Sequence, residues 1–536
     1  MCRILSSFLI LFAVSLSAYG QSISRGPYLQ VLSPESIQIC WRTDIPANSR
    51  IIYGTTLNAQ EQEVIDLNSK TDHFITIPNL EPGTTYYYSI GTTDSLLAAS
   101  SQALRFTTSP SAANTDKFSF WAIGDFGKAS QGQIDVMNSF IQYDQEAQTD
   151  FMLMLGDNAY QDGTQAEFQS KLFDVYDSIL TYIPIYSTPG NHDYNSVNRL
   201  APPAEHVGPY YDIFKSPILG EAGGTPSNTK LYYSFDYGNA HFISLNSEIQ
   251  AWTLDDNSPM YQWLEADLQA NTKEWVICFF HQPPYSKGSH DSDDFWELLM
   301  SAMRQNALPI LEQYGVDLVL NGHSHVYERS KLIKGHYGFS FSFNNNTHAI
   351  NSGNGNFEQG EHYIKYQNSG NEGTVYVVCG NSGSKEDDPD LDHPVMVSSY
   401  GGSNAYGSLI VEIEGNRLDG KYLKSDGTLF DHFTIIKPDL EDPLLHEKPN
   451  GLYASTVSLY PNPFENTFNL RFHLDKARQV ELRIFDTGGK EVFRDSFKGK
   501  KHENIYTGNL ASLQTGNYLV SLHVGNQVQT KHLTKK

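Results

Sequence analysis

Between Lys117 and Asp439 seven apolar runs, FSFWAIG, FMLMLG, IPIYSTPG, AHFISLN, WVICFFH, VDLVLNG and TVYVVCG, stop at a glycine, an asparagine or a histidine. Runs without alternation are strands buried on both faces, which requires covering layers above and below the sheet. The intervening stretches AEFQSKLFDVYDSIL and FWELLMSAMRQNALPILEQYG carry helical spacing and supply such layers. The pattern predicts a central α/β domain of layered mixed sheets flanked by helices. Ligands of such sheets bind beyond the carboxyl ends of the strands, and the polar residues of this region fall there.

The flanks read differently. From Gly26 to about Pro110 six short alternating segments, YLQVLS, SIQICWRT, SRIIYG, HFITIP, TYYYSIG and ALRFTTS, are separated by turn residues and predict an N-terminal β-sandwich. Residues 453–536 return to the same pattern and predict a C-terminal one. KPDLEDPLLHEKPNG has the Pro and charge content of a linker. At the N-terminus a basic start, a short apolar run and small residues after it read as a secretory signal, too short to span a bilayer. The chain is thus expected to be multidomain: signal 1–20, β-sandwich 21–112, α/β domain 113–439, linker 440–452 and β-sandwich 453–536. The Asn-rich stretch Lys334–Asn371 reads as a surface excursion. Cys40, Cys278 and Cys379 each lie inside a strand-like run and read as small buried hydrophobes, not a disulfide framework. A net charge of -24 argues against a nucleic-acid or anionic-membrane surface.

Five clusters follow the apolar runs: Gly124-Asp125-Phe126-Gly127, Gly156-Asp157-Asn158-Ala159-Tyr160, Gly190-Asn191-His192-Asp193, His281 and Gly322-His323-Ser324-His325. Strand ends are rigid, so side chains from five separated positions can converge on one point. Carboxylate, amide and phenol oxygens mixed with imidazoles suit a pair of transition-metal ions. Such a pair clamps the attacking and leaving oxygens of a phosphoryl displacement. One Gly-Asp or one His carries little information alone; the ordered set carries a great deal. Trp263, Leu264 and Leu268, and likewise Trp296 and Leu299, read as core-facing residues at helical spacing.

With these residues in place, positions 26 to about 435 resemble the binuclear metallophosphoesterases, and among them the purple acid phosphatases. That family also carries a fibronectin-III-like sandwich first, here with Leu80-Glu81-Pro82-Gly83-Thr84-Thr85 before a Tyr-rich strand. Gly127 stands where the wider superfamily has a histidine, and Tyr160, three after Asp157, is the residue the purple subgroup uses instead. The resemblance implies that Asp125, Tyr160 and His325 hold Fe(III), that Asn191, His281 and His323 hold a divalent Fe, Zn or Mn ion, and that Asp157 bridges them. It further implies in-line attack on phosphorus by a metal-activated hydroxide, with His192 and His290 as catalytic histidines near the phosphate and the leaving group. Asp193 stands where many members have Glu. Tyr327-Glu328-Arg329 is expected to brace the His323/His325 loop.

The resulting expectation is a secreted or surface-attached acid phosphatase acting on small phosphate monoesters. A phosphodiesterase or nucleotide hydrolase on the same core is the first alternative, and a non-catalytic surface adhesin the second. Residues 453–536, through Ser458-Leu459-Tyr460-Pro461-Asn462-Pro463-Phe464 and the basic end, resemble the sorting domains of type IX secretion and imply the secretion machinery as a partner.

Overall fold

A computed structural model describes residues 21–57, 61–111, 114–147, 149–194, 207–366, 372–438, 458–474, 477–486, 490–524 and 527–536. The expected signal, 1–20, and linker, 440–452, lie outside the described residues. The chain divides into two compact units, 1–438 and 439–536.

In the first unit two seven-stranded mixed sheets form the centre. One runs in the order Tyr363–Ile364, Leu429–Ile436, Arg417–Lys424, Gly407–Glu414, Phe118–Ile123, Phe151–Met154, Ile185–Ser187, and its last three strands are parallel. The other runs Tyr233–Tyr237, Ala240–Ser244, Trp275–Phe279, Leu318–Asn321, Val375–Cys379, Tyr327–Ser330, Met396–Tyr400, with four parallel strands from Ala240 to Cys379. Side chains alternate along each strand. Phe120, Ala122, Phe151 and Leu153 share one buried cluster with Phe242, Ile277, Phe279 and Leu320 of the facing sheet. Their neighbours Trp121, Ile123, Met152, Met154 and Cys278 point the other way, into the core under the helices. This two-sided burial explains the uninterrupted apolar runs. Phe120 meets Phe242 edge-on at 5.4 Å between the sheets, and outside them Trp121 stacks on Phe140 of helix Gln131–Ala147 at 3.9 Å.

The N-terminal strands form a six-stranded β-domain in which the long strand Ile37–Gly54 pairs by its first half with Ile23–Gln30 and by its second with Thr85–Gly91. Irregular register between Arg42 and Ser49 separates the halves. Its core, including Trp41, Ile51, Ile75 and Tyr88, is continuous with the inter-sheet core of the central strands. Of the surface excursion, Tyr363 is fully buried and anchors an edge strand. Cys40, Cys278 and Cys379 are free and buried.

One helical reading fails. Trp263, Leu264 and Leu268 are buried on helix Pro259–Ala270, but Trp296 is 85% exposed and Leu299 half-buried. The helix containing Leu299 starts only at Leu298, so Phe295 and Trp296 belong to the preceding loop.

The second unit packs the sheet Ser458–Tyr460, Thr467–Leu474, His502–Asn509 and the sheet Glu491–Gly499, Arg478–Asp486, Gly516–Val524, Gln527–Lys535 around one core that includes Phe468, Leu470, Leu482, Ile484, Val520 and Leu533. Among the described residues no helix is long and apolar enough to cross a membrane.

Candidate metal centre

All five clusters meet where the parallel strands of the two sheets end. Asp125, Asp157 and His323 adopt positive φ (55°, 52° and 68°), a backbone region costing roughly 1–3 kcal/mol for such residues. Three strained positions on three separate loops, all aimed at one point, mark a place where function overrides local preference.

Two groups of donors lie side by side. In the first, the Tyr160 hydroxyl donates to Asp125 Oδ1 at 3.0 Å and lies 3.3 Å from His325 Nε2, which is 3.6 Å from Asp125 Oδ1. In the second, Asn191 Oδ1 is 3.1 Å from His281 Nε2 and 3.0 Å from His323 Nδ1. Asp157 stands between them, its Oδ1 3.5 Å from His281 Nε2, and donor atoms of Asp125, Asp157 and His281 all lie within 4.8 Å of one another. The structure therefore brings together all seven residues singled out as ligands.

Surrounding contacts aim these groups. His281 Nδ1 donates to the Leu155 carbonyl at 2.9 Å, leaving Nε2 for the centre, and the His323 amide donates to Asp125 Oδ2 at 2.7 Å. Buried Asp193 accepts from the Gly190 amide and from the amide and side chain of Asn158, so it holds the turn that carries Asn191. His192 is pinned instead by Nδ1 on the Gln161 carbonyl, 2.7 Å away. Glu328 is buried and accepts from the Ser286 hydroxyl and the Lys287 amide, while Ser286 reaches Ser324, so the loop after His281 is tied to the Gly322–His325 loop. Arg329 and Tyr327 converge on Asp431.

Burial pushes the Asp125 carboxyl up to about 8. Asp157 is equally desolvated, but His281 and His192 face it and hold it below the usual carboxylate range. Burial drives His323 and His325 down to about 3, so both are neutral and able to offer lone pairs. For His281 the loss of solvent is outweighed by Asp157 and Asp125, which raise it to about 9. Among the described residues no lysine or arginine forms an ion pair with Asp125 or Asp157. Two buried carboxylates faced by imidazoles, an amide oxygen and a phenol form a donor set that fits a pair of cations.

His290 also reaches this place. Its ring stacks on His323 with centroids 3.8 Å apart and lies 6.2 Å from His325. Two neighbours escaped the sequence reading. Glu297 Oε1 is 2.6 Å from His290 Nδ1, and Lys128 Nζ sits 4.4 Å from the centre of the Tyr160 ring. Neither occupies a motif or a regular element; only the fold brings them in.

Sequence comparison matches residues 25–108 to the N-terminal domain of purple acid phosphatases, residues 118–327 to the calcineurin-like phosphoesterases and residues 458–536 to the secretion-system C-terminal sorting domain. The chain is similar to a probable purple acid phosphatase 20 of Arabidopsis thaliana, with 27% identity over 329 residues, 57% of this chain and 69% of that protein. It is similar to a phosphoenolpyruvate phosphatase of Allium cepa, with 26% identity over 386 residues, 68% and 69% of the two chains. A purple acid phosphatase isolated from yellow lupin seeds shares the fold, with a TM-score of 0.59 at 18% identity over 77% of this chain and 74% of that one.

Proposed function

We propose that this chain, a metallophosphoesterase of the purple acid phosphatase type with a secretion-sorting domain, is an exported acid phosphatase that hydrolyses phosphate monoesters at a centre of Fe(III) and a divalent Fe, Zn or Mn ion. The observation that carries the reading is the Tyr160 hydroxyl set beside Asp125 Oδ1 and His325 Nε2, a phenol where a metal site of softer character would place another imidazole. Asp125, Tyr160 and His325 would hold the ferric ion, Asn191, His281 and His323 the divalent one, and Asp157 would serve both. When bound, such a pair supplies Lewis acidity to the phosphate oxygens and makes water acidic enough to attack near neutral pH.

The remaining work falls to two histidines. His192, held by Gln161, keeps Nε2 4.0 Å from Asp157 Oδ2 and would orient the phosphoryl oxygens. His290, held at Nδ1 by Glu297, has Nε2 left to take up a proton as the imidazolium and hand it to the departing alkoxide, returning to the neutral Nδ1–H ring. The sorting domain would deliver the enzyme outside the cell.

The test is the visible spectrum of the purified protein beside Tyr160→Phe, with hydrolysis of p-nitrophenyl phosphate and its diester analogue. A phenolate-to-iron band that vanishes in the variant, together with preferential monoester cleavage, supports the reading. A colourless, metal-containing wild type refutes the ferric assignment, and faster diester cleavage refutes the substrate class.

A further inference from the structure

Glu297 touches two rings of the centre with its two oxygens. Oε1 accepts from His290 Nδ1 at 2.6 Å, and Oε2 lies 3.6 Å from His323 Nε2, beyond hydrogen-bond distance. The two imidazoles stack on each other at 3.8 Å. Glu297 is the N-cap of helix Leu298–Ala302, and its carbonyl accepts from the Ser301 amide, yet its side chain makes no capping hydrogen bond. A carboxylate at a helix N-terminus is stabilised by facing the free amides of the first turn. Here it turns away to the histidines, and the preceding Phe295 and Trp296 are left 77% and 85% exposed. Helix capping does not account for the direction of this side chain; its contacts are the two rings.

We propose that Glu297 is a positioning residue that fixes His290 as its Nδ1–H tautomer and holds it stacked on His323, so that the leaving-group histidine and a divalent-ion ligand move as one unit. The inference rests on the reading of the centre given above. A carboxylate behind a ligating histidine orients the ring and sharpens its affinity, and losing such a partner typically costs about 10–100-fold in metal affinity or activity.

The experiment uses the full-length holoenzyme as wild type, Glu297→Ala, Glu297→Gln, His290→Ala and the double variant Glu297→Ala/His290→Ala. Retention of the divalent ion against a chelator, turnover of p-nitrophenyl phosphate and the visible band are read together. We expect Glu297→Ala to lose about 10–100-fold in ion retention or turnover. The band should stay, since Glu297 makes no contact with Asp125, Tyr160 or His325. Glu297→Gln, whose amide oxygen still accepts from Nδ1–H, should recover most of the loss, and the double variant should lose less than the two single variants combined. Wild-type retention and turnover in Glu297→Ala, or losses that add in full, overturn the proposal. So does a third metal equivalent that disappears with Glu297, because the cluster would then be a metal site of its own. Imidazole 15N shifts of His290 in the metal-free protein separate this inference from the functional reading. If wild type binds no metal and cleaves no ester, the function falls, whereas unchanged His290 tautomer populations in Glu297→Ala defeat the role of Glu297 alone.

Discussion

Replacing Gly156 with alanine probes how tightly the centre is built. Gly156 sits at φ 95°, and a Cβ on it would lie 2.4 Å from His281 Nδ1, 2.7 Å from His281 Cγ and 3.0 Å from Gly190 Cα. An alanine in the left-handed region costs roughly 1–2 kcal/mol from backbone strain alone. Ordinary contact begins at 3.4 Å, so the imidazole must retreat. That ring is fully buried and held by its bond to the Leu155 carbonyl, and retreat breaks the bond and draws Nε2 away from Asn191. An unsatisfied buried donor costs about 1–3 kcal/mol, and the overpacking about 1–3 kcal/mol more. The sum, about 3–8 kcal/mol, is a large share of the 5–15 kcal/mol that ordinarily separates folded from unfolded protein. Gly83→Ala is the control, since Gly83 has φ 61° with nothing within 4 Å of the added carbon, leaving only the strain. Urea midpoints of the metal-free proteins and divalent-ion content after dialysis provide the assay. A Gly156→Ala protein within about 1 kcal/mol of Gly83→Ala, still fully loaded with metal, would refute the packing argument.

Away from the centre, His241 lies buried between Asp236 and Asp267, at 2.7 and 2.8 Å; burial lowers its pKa, but the two carboxylates outweigh it and raise it to about 9. The stabilisation is therefore complete below the unfolded value near 6.5 and is lost as pH rises through about 9, an effect of about 3 kcal/mol that denaturation midpoints across this window will show and that His241→Gln will abolish. Arg329 is fully buried in a two-pronged pair with Asp431, at 2.6 and 2.9 Å, and also donates to the Asn354 carbonyl and the Tyr363 hydroxyl. Arg329→Met leaves Asp431 uncompensated and should cost about 3–5 kcal/mol in denaturant unfolding, with part of the loss restored when Asp431→Leu is added.

What the sequence disclosed and what it concealed divide along one physical line. The layered sheets were legible because Phe120 and Trp121, adjacent in one run, are both buried, one between the sheets and the other beneath a helix. Residues at the ends of such runs inherit a position from the strand, so Asp125, Asp157, Asn191, His281 and His323 could be picked out together before any coordinates. Loop residues inherit nothing of the kind. Trp296 was assigned to a helix because its neighbours carry helical spacing, yet the chain enters the helix two residues later. Glu297 goes unnoticed although it faces two histidines, because it and His290 lie in a loop where no periodicity applies, and His323 is 26 positions away. Both errors have one cause. The segment before Leu298 is held by tertiary contacts, Asp293 accepting from the Ser340 amide and the Glu297 carboxylate turning to the stacked rings, and Trp296 stays in solvent. Periodicity reports which face of a regular element is covered. It is silent where tertiary contacts direct a loop toward a site, and here that silence falls on the residue that holds His290 Nδ1.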